Sequence, residues 1–403
     1  MTTRIKALVE PDMLVWARET ASLSPEEAAT ALDVTIDRLL AWEKGDDQPT
    51  VNQLRRIAQR YKRPLSVFYL SERPKDFQPL RDFRRLPGIG DRRYSAKLAY
   101  EVRAAYERRL VALDVLEVLG EQPPALGLAA RHTDDPEQVG RRIRERLGIT
   151  LAQQGRWGEP DKAFRGWRDA IEQAGVLVFV LSGAHHQVDL EEMRGFAIAE
   201  QPLPAIIVNG KDRTAGRIFT LLHELAHVVL GESAIENDIE PSDTIPPAHR
   251  AIERFCNRVA AAALMPVDAL AADPVVLAKQ QHKDAWSDAE IIAVARHFGV
   301  SRVALLVRLA EMGRVSSTFV QAKRREYDRQ LEEAGEPEAG GFAPYQYQIL
   351  GHLGRGFARL ILQGYHDNRL TLSTVAGYLG VQAKHLPKIE RAAFGISAQG
   401  GAE

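Results

Sequence analysis

Cysteine is nearly absent from this chain: Cys256 is the only one among 403 residues. A lone cysteine cannot form an internal disulfide, and such a composition is typical of a reducing compartment. Charged residues at positions 4, 6 and 10 leave no apolar core for a signal peptide, and no hydrophobic run is long enough to span a bilayer. We therefore expect a cytoplasmic protein that makes no membrane contact.

An excess of charge of one sign is also missing. The 53 Lys and Arg residues balance 54 Asp and Glu residues, for a net charge of −1. This balance argues against a protein that coats nucleic acid along its whole surface. With 45% hydrophobic residues, a chain of this length can bury ample core and is expected to divide into several units.

The most informative motif is His223-Glu224-Leu225-Ala226-His227, inside the apolar run 218–230. Residues four positions apart lie on one face of a helix, so both imidazoles can reach the same ion. Glu224 then stands where a carboxylate can accept a proton from an attacking water molecule. This spacing indicates a zinc hydrolase with one catalytic Zn²⁺, and the donor set also permits activation by Mn²⁺ in vitro.

A zinc site of this kind needs a third protein ligand. Glu253 is the favoured candidate, because it lies on a second predicted helix, residues 247–265, bounded by prolines. Asn257 follows one turn later and could orient a metal ligand. A polar segment before this helix offers the alternatives: Glu236, Asp238, Glu240, Asp243 and His249.

Three blocks of sequence around these residues resemble the ImmA/IrrE family of bacterial zinc metallopeptidases. They are residues 205–209, 217–227 with the HExxH motif, and 252–266 with Glu253 and Asn257, and the similarity covers about residues 160–270. The resemblance implies that His223, His227 and Glu253 are metal ligands and that Glu224 is the general base. It also implies regulatory proteolysis of a transcriptional repressor or antitoxin encoded nearby, as part of a stress response or a toxin–antitoxin module.

The first 74 residues resemble an Xre/Cro-type helix-turn-helix domain. Apolar periodicity predicts short helices near 11–20, 24–32, 35–43, 50–61 and 64–70, and Ser24 with Glu27 forms a capping-box pattern. Eleven Lys or Arg residues face eleven Asp or Glu residues in this segment. Thr35, Arg38 and Lys44 are the candidate DNA contacts, whereas Asp37 is unfavourable for phosphates. DNA binding and protein docking both remain open for this domain.

The spacing of Ala29, Leu32, Val34 and Leu39 recurs twice, around Val300 and around Val381. It is the spacing of two helices that meet at a tight turn. We expect structural or substrate-docking roles for the two later copies, because three-helix units are stable without nucleic acid.

These patterns predict a predominantly helical α+β protein. Strands at 176–181, 195–199 and 205–208 should form a small sheet against the HExxH helix, with an edge that could hold a substrate strand. A charged helix is expected at 311–331, a connector at 79–90 and a flexible linker at 335–344. The expected domains are a helix-turn-helix domain (1–74), a helical connector (75–160), a zincin-like core (161–275), a helical helix-turn-helix-like extension (276–334) and a C-terminal helical domain (335–403).

In the expected mechanism, Glu224 takes a proton from water and passes it to the leaving amine. His185, His186 and Arg217 are further candidate proton or hydrogen-bond donors. The alternative is a DNA-binding transcriptional regulator or toxin–antitoxin component whose core binds metal without cutting a substrate.

Overall fold

The computed structural model describes residues 6–21, 23–61, 63, 65–73, 95–183, 186, 188–236, 247–279, 283–334 and 343–395, without the side chains of 234–236, 247–249, 331, 332 and 334. The predicted connector at 79–90 and most of the predicted linker at 335–344 lie outside these residues. The chain divides into two compact units, Met1–Glu107 and Arg108–Glu403. Within the described ranges, no helix has the length and hydropathy that a membrane crossing requires.

The first unit confirms the predicted helices to within about one residue at each end. They are α1 (Pro11–Thr20), α2 (Pro25–Leu32), α3 (Ile36–Lys44), α4 (Val51–Tyr61) and a 3-10 helix, η1 (Leu65–Tyr69). The Ser24 hydroxyl and the Glu27 carboxylate form both halves of the predicted capping box. Leu32, Leu39 and Trp42 bury their side chains between these helices. The unit also includes the first half of the long helix α5 (Ala96–Leu119).

The second unit contains the sheet and most of the helices. In chain order they are α6 (Pro136–Leu147), α7 (Leu151–Trp157), α8 (Pro160–Gln173), β1 (Leu177–Leu181), β2 (Gly195–Ile198), β3 (Ala205–Asn209), α9 (Thr214–Leu230), β4 (Ala234–Glu236), α10 (Pro247–Leu264), α11 (Val267–Ala271), α12 (Pro274–Ala278), α13 (Asp288–Phe298), α14 (Arg302–Glu311), α15 (Ser317–Ala334), α16 (Tyr345–Leu353), α17 (Arg355–His366), α18 (Leu372–Tyr378), η2 (Ala383–His385) and α19 (Leu386–Phe394). The predicted fold class, mostly helical α+β, is confirmed.

The sheet is mixed, with strand order β1-β3-β2-β4. β1 pairs with β3 in parallel, while β2 pairs antiparallel with both β3 and β4. Every residue of the three predicted strands is buried, which is expected for strands covered by helices. The short strand β4 was not predicted, because three residues at the start of an acidic segment carry no alternating pattern.

Helix α9 packs on β2 and β3 and lies against α8 and α10. Its buried residues, including Leu221, Leu222 and Leu225, join one core with Trp167 of α8 and Val259 of α10. Alanines along α10 allow close approach to α6: a Cβ on Gly140 would lie 2.8 Å from the Cβ of Ala262. α10 also packs directly against α9, which sets the relation between their polar residues.

One predicted helix boundary is wrong. The helix expected over 311–331 begins at Ser317, and Glu311 is instead the last residue of α14. Gly313 adopts a φ of 69°, which ends the preceding helix. Ser316 then binds the Asp284 carboxylate through both its backbone N–H and its hydroxyl, which sets the start of α15.

Helices α16 and α17 pack against β1, at one edge of the sheet. The Val180 carbonyl of β1 accepts a hydrogen bond of 2.7 Å from Nδ1 of His352, and the Val178 carbonyl accepts one from Arg168. Arg168 also donates to the Gly351 carbonyl and forms a buried ion pair with Glu172. Polar side chains therefore donate hydrogen bonds to backbone carbonyls on the outer edge of β1.

Candidate metal centre

The HExxH motif lies in the buried middle of α9. His223 and Glu224 are 0% exposed and His227 is 1% exposed. Apolar residues on neighbouring faces place this part of the helix in the core, and the helix ends at Gly231 with a φ of 74°. Burial of three ionisable side chains is costly unless they have polar partners or a metal ion.

Three side chains converge at this position. The Nε2 atoms of His223 and His227 lie 3.0 Å apart. Glu253 of α10 lies between them, with Oε2 at 3.2 Å from Nε2 of His223 and Oε1 at 3.5 Å from Nε2 of His227. Within the described ranges, these three residues form a cluster that could hold a metal ion: each offers one ligand atom, and these atoms lie within 4.8 Å of one another.

The electrostatics of the cluster favour an ionised Glu253 and a neutral His227. Burial opposes ionisation of Glu253, but its contacts with His223 and His227 outweigh that effect and lower the pKa of the carboxyl. Burial is the main cause of the lowered pKa of His227. Zinc binds imidazole in its neutral form and carboxylate in its charged form, so the donor set fits such an ion.

Asn257 lies one turn beyond Glu253 and touches the motif directly. Its Oδ1 is 3.0 Å from Nδ1 of His223. A carboxamide oxygen only accepts hydrogen bonds, so Nδ1 carries the proton and Nε2 is left with the lone pair that a metal requires. The contact places Asn257 where the sequence predicted a ligand-orienting residue.

Glu224 lies on the face of α9 that meets the sheet. A Cβ on Gly195 of β2 would lie 2.9 Å from Oε1 of Glu224 and 2.5 Å from Cγ2 of Thr220. The close approach of strand and helix therefore requires glycine at position 195. Sequence reasoning missed this residue, because a glycine within a strand signals a close approach without identifying what approaches it.

The other candidate donors lie elsewhere or outside the described residues. The His186 ring stacks on His352 at 4.0 Å, and Arg217 donates to the Thr214 hydroxyl and stacks over Phe164. His185, Asp238, Glu240 and Asp243 lie outside the described residues, as do the side chains of Glu236 and His249.

The candidate DNA contacts Thr35, Arg38 and Lys44 are all exposed on or next to α3. The Thr35 hydroxyl caps this helix by accepting from the Arg38 N–H at 3.4 Å. The Arg38 guanidinium lies 5.5 Å from the Trp42 ring. Arg38 and Lys44 thus present positive charge, while Thr35 has a local role in helix capping.

Comparison with known families agrees with this geometry. A family model described as the IrrE N-terminal-like domain matches residues 171–310, and a model described as helix-turn-helix matches residues 14–68. No curated protein and no solved structure matches the chain. Residues 171–310, which hold the His223, His227 and Glu253 cluster, therefore form a peptidase domain of the IrrE N-terminal-like family, and an Xre-type helix-turn-helix domain precedes it.

Proposed function

We propose that this protein is a zinc-dependent endopeptidase that cuts a protein regulator, either a transcriptional repressor or an antitoxin encoded nearby. The observation that carries the proposal is the meeting of His223, His227 and Glu253 within 4.8 Å, beside a fully buried Glu224. We also propose that the chain divides into five domains, at residues 1–74, 75–160, 161–275, 276–334 and 335–403.

The residues present suit peptide hydrolysis. His223, His227 and Glu253 would hold a zinc ion, which would supply a Lewis acid to acidify water and to stabilise negative charge on the scissile carbonyl oxygen. The Glu224 carboxylate accepts the proton of the attacking water and delivers it to the nitrogen of the leaving amine. Asn257 keeps Nε2 of His223 directed at the ion by accepting from Nδ1.

The sheet suggests where a substrate binds. At one edge of the sheet, Arg168 and His352 donate hydrogen bonds to backbone carbonyls of β1. At the other edge, β4 is the outermost strand of the described sheet. β4 pairs with β2, which contacts Glu224 through Gly195. An extended peptide that pairs with β4 would add a strand on the side of the sheet nearer to Glu224.

The helix-turn-helix domain suggests DNA binding, and we assign that role to α3 with Arg38 and Lys44. Both are exposed and positively charged. Asp37 on the same helix reduces the attraction of phosphates, so these contacts alone would give weak binding. Docking of a regulatory protein on the same helix is the competing role.

The test is coexpression of the chain with the product of the adjacent gene, followed by intact mass measurement of both proteins. We expect cleavage by the wild type and a loss of at least about 100-fold in the Glu224→Gln variant, since general-base catalysis contributes that much or more. The variant should retain its zinc, because Glu224 is not in the donor cluster.

Two outcomes would count against the proposal. Continued cleavage by the Glu224→Gln variant would remove Glu224 from the mechanism. A wild-type protein that binds zinc and shifts operator DNA, but leaves the partner intact, would favour the non-proteolytic regulator instead.

A further inference from the structure

The C-terminal domain has its own exposed basic surface, formed by Lys384, Lys388 and Arg391 and called the basic tail face below. The three residues follow one another at intervals of four and three positions across η2 and α19, so they lie on one side of the helix. All three are exposed. The opposite side of the same segment is buried through Leu386, Ile389 and Ala393.

This part of the chain is basic compared with the protein as a whole. Residues 345–395 contain six Lys or Arg and two Asp or Glu residues, whereas the whole protein has a net charge of −1. Glu390, one of the two acids, is paired with His366 at 2.6 Å. Two acids cannot balance six positive charges, so residues 345–395 carry a net positive charge.

The turn before this face has the same backbone form as the turn of the N-terminal helix-turn-helix. Asp33, between α2 and α3, has a φ of 56°, and Gly380, after α18, has a φ of 64°. The next residue is valine in both segments, and a buried leucine follows five positions later, Leu39 or Leu386. The two second helices can thus be compared position by position.

At one exposed position the two segments carry opposite charges. Asp37, the residue unfavourable for phosphates, corresponds to Lys384, and exposed Lys44 corresponds to exposed Arg391. Ala41 corresponds to Lys388. The C-terminal copy therefore presents three positive charges where the N-terminal copy presents one positive and one negative charge on the same face.

We propose that the basic tail face binds the phosphate backbone of duplex DNA. The second helix of a helix-turn-helix lies in the major groove, where Lys and Arg on its exposed side can reach the flanking phosphates, neutralise them and release counterions. The inference concerns a surface separate from the metal centre and does not depend on proteolysis. Phosphate contacts of this kind position a protein on DNA without reading its sequence.

The experiment measures binding of the full-length protein to a fluorescein-labelled duplex of mixed sequence, by fluorescence anisotropy over a series of KCl concentrations. Replacing Lys384, Lys388 and Arg391 together with alanine should reduce the slope of log K against log salt by about 3, roughly one for each phosphate that is no longer neutralised. Lys384→Arg with Lys388→Arg keeps the charge and should retain wild-type binding.

The matched control removes three equally exposed positive charges from α15, at Arg324, Arg325 and Arg329. It changes the net charge by the same amount and is therefore a matched control. If the basic tail face is the contact, this control should leave the slope of log K against log salt unaltered. An equal loss in both triple variants would reveal general electrostatic attraction and overturn the proposal. So would wild-type binding by the Lys384, Lys388 and Arg391 variant, or no binding of duplex by the wild type.

A second probe separates DNA from an acidic protein partner. Polyglutamate should compete poorly with the duplex at equal charge. If polyglutamate binds in place of duplex DNA, and the triple variant loses that binding, the face docks an acidic protein and the proposal is wrong. An Arg38→Ala, Lys44→Ala variant measures the contribution of the N-terminal domain in the same assay.

Discussion

Gly195 of β2 and Glu224 of α9 lie so close that a Cβ on the glycine would stand 2.9 Å from Oε1 of the carboxylate. The backbone of the strand therefore forms one wall around the proposed general base. Thr220 limits the same space, at 2.5 Å from that Cβ position. The position of Glu224 thus depends on a residue without a side chain.

Replacement of Gly195 by alanine should displace Glu224 and lower kcat/KM by about 100-fold, because a shift of about 1 Å in a catalytic group costs this much. Zinc content should stay at the wild-type level, since the atoms nearest the added Cβ belong to Thr220 and Glu224 and not to the three clustered residues. Kinetics with the cleaved partner and metal analysis would check both points. Gly377→Ala is the matched control, because nothing lies within 4 Å of its added Cβ. Full activity of Gly195→Ala would show that Glu224 tolerates the displacement.

Glu253→Gln keeps the size of the side chain but removes its charge, so zinc affinity should fall by at least about 100-fold, beyond the loss typical of residues outside the ligand shell. Competition with a chromogenic chelator would measure the affinity. The control is Glu232→Gln, which changes an exposed acid just beyond α9 and should leave the zinc affinity unaltered. The variants Glu236→Gln and Asp238→Asn serve as a further comparison. Loss of zinc in one of these, with retention in Glu253→Gln, would assign the third ligand to that residue.

Asn257→Ala removes the oxygen that accepts from Nδ1 of His223 at 3.0 Å. Without that acceptor the ring can rotate or change tautomer, and zinc affinity should fall by about 10- to 100-fold. Asn257→Asp restores an acceptor and should recover most of the affinity. Arg258→Ala, on the exposed side of the same helix, is the control. Equal affinities for Asn257→Ala and the wild type would show that packing alone orients His223.

The metal cluster was predictable because local geometry determines most of it. Two histidines four positions apart must share a helix face, and the proline-bounded helix with Glu253 needed only to pack beside them. The close contact of Gly195 with Glu224 was not predictable, because it depends on how tightly a strand approaches a helix.

Contacts between distant parts of the chain were also beyond sequence reasoning. His352 of α16 donates to Val180 across 172 positions, and Arg168 of α8 donates to Gly351 across 183. Neither residue belongs to a recognisable motif. The predicted start of α15 was wrong for a related reason. Gly313 ends the preceding helix, and the contact between Ser316 and Asp284, which lie 32 positions apart, sets the start of the next.

His352 makes stability depend on pH. Burial, with the positive charge of Arg108 and the neighbouring His186 ring, lowers its pKa from 6.5 to about 3. The folded protein therefore keeps this imidazole neutral, with Nδ1 donating to Val180 and Nε2 3.0 Å from the Arg108 guanidinium. Between about pH 3 and 6.5 the unfolded chain binds one more proton at this site than the folded chain does.

The free energy of unfolding should thus be highest above pH 6.5 and fall as the pH drops toward 3, by at most about 1.4 kcal/mol per pH unit from this residue. His352→Gln can keep both hydrogen bonds but cannot titrate, so its curve should be flatter by up to that slope. Urea unfolding at a series of pH values would measure the difference. His132→Gln, the same change at an exposed position, should keep the wild-type slope. Parallel curves for His352→Gln and the wild type would mean that His352 takes up its proton in the folded protein as readily as in the unfolded chain.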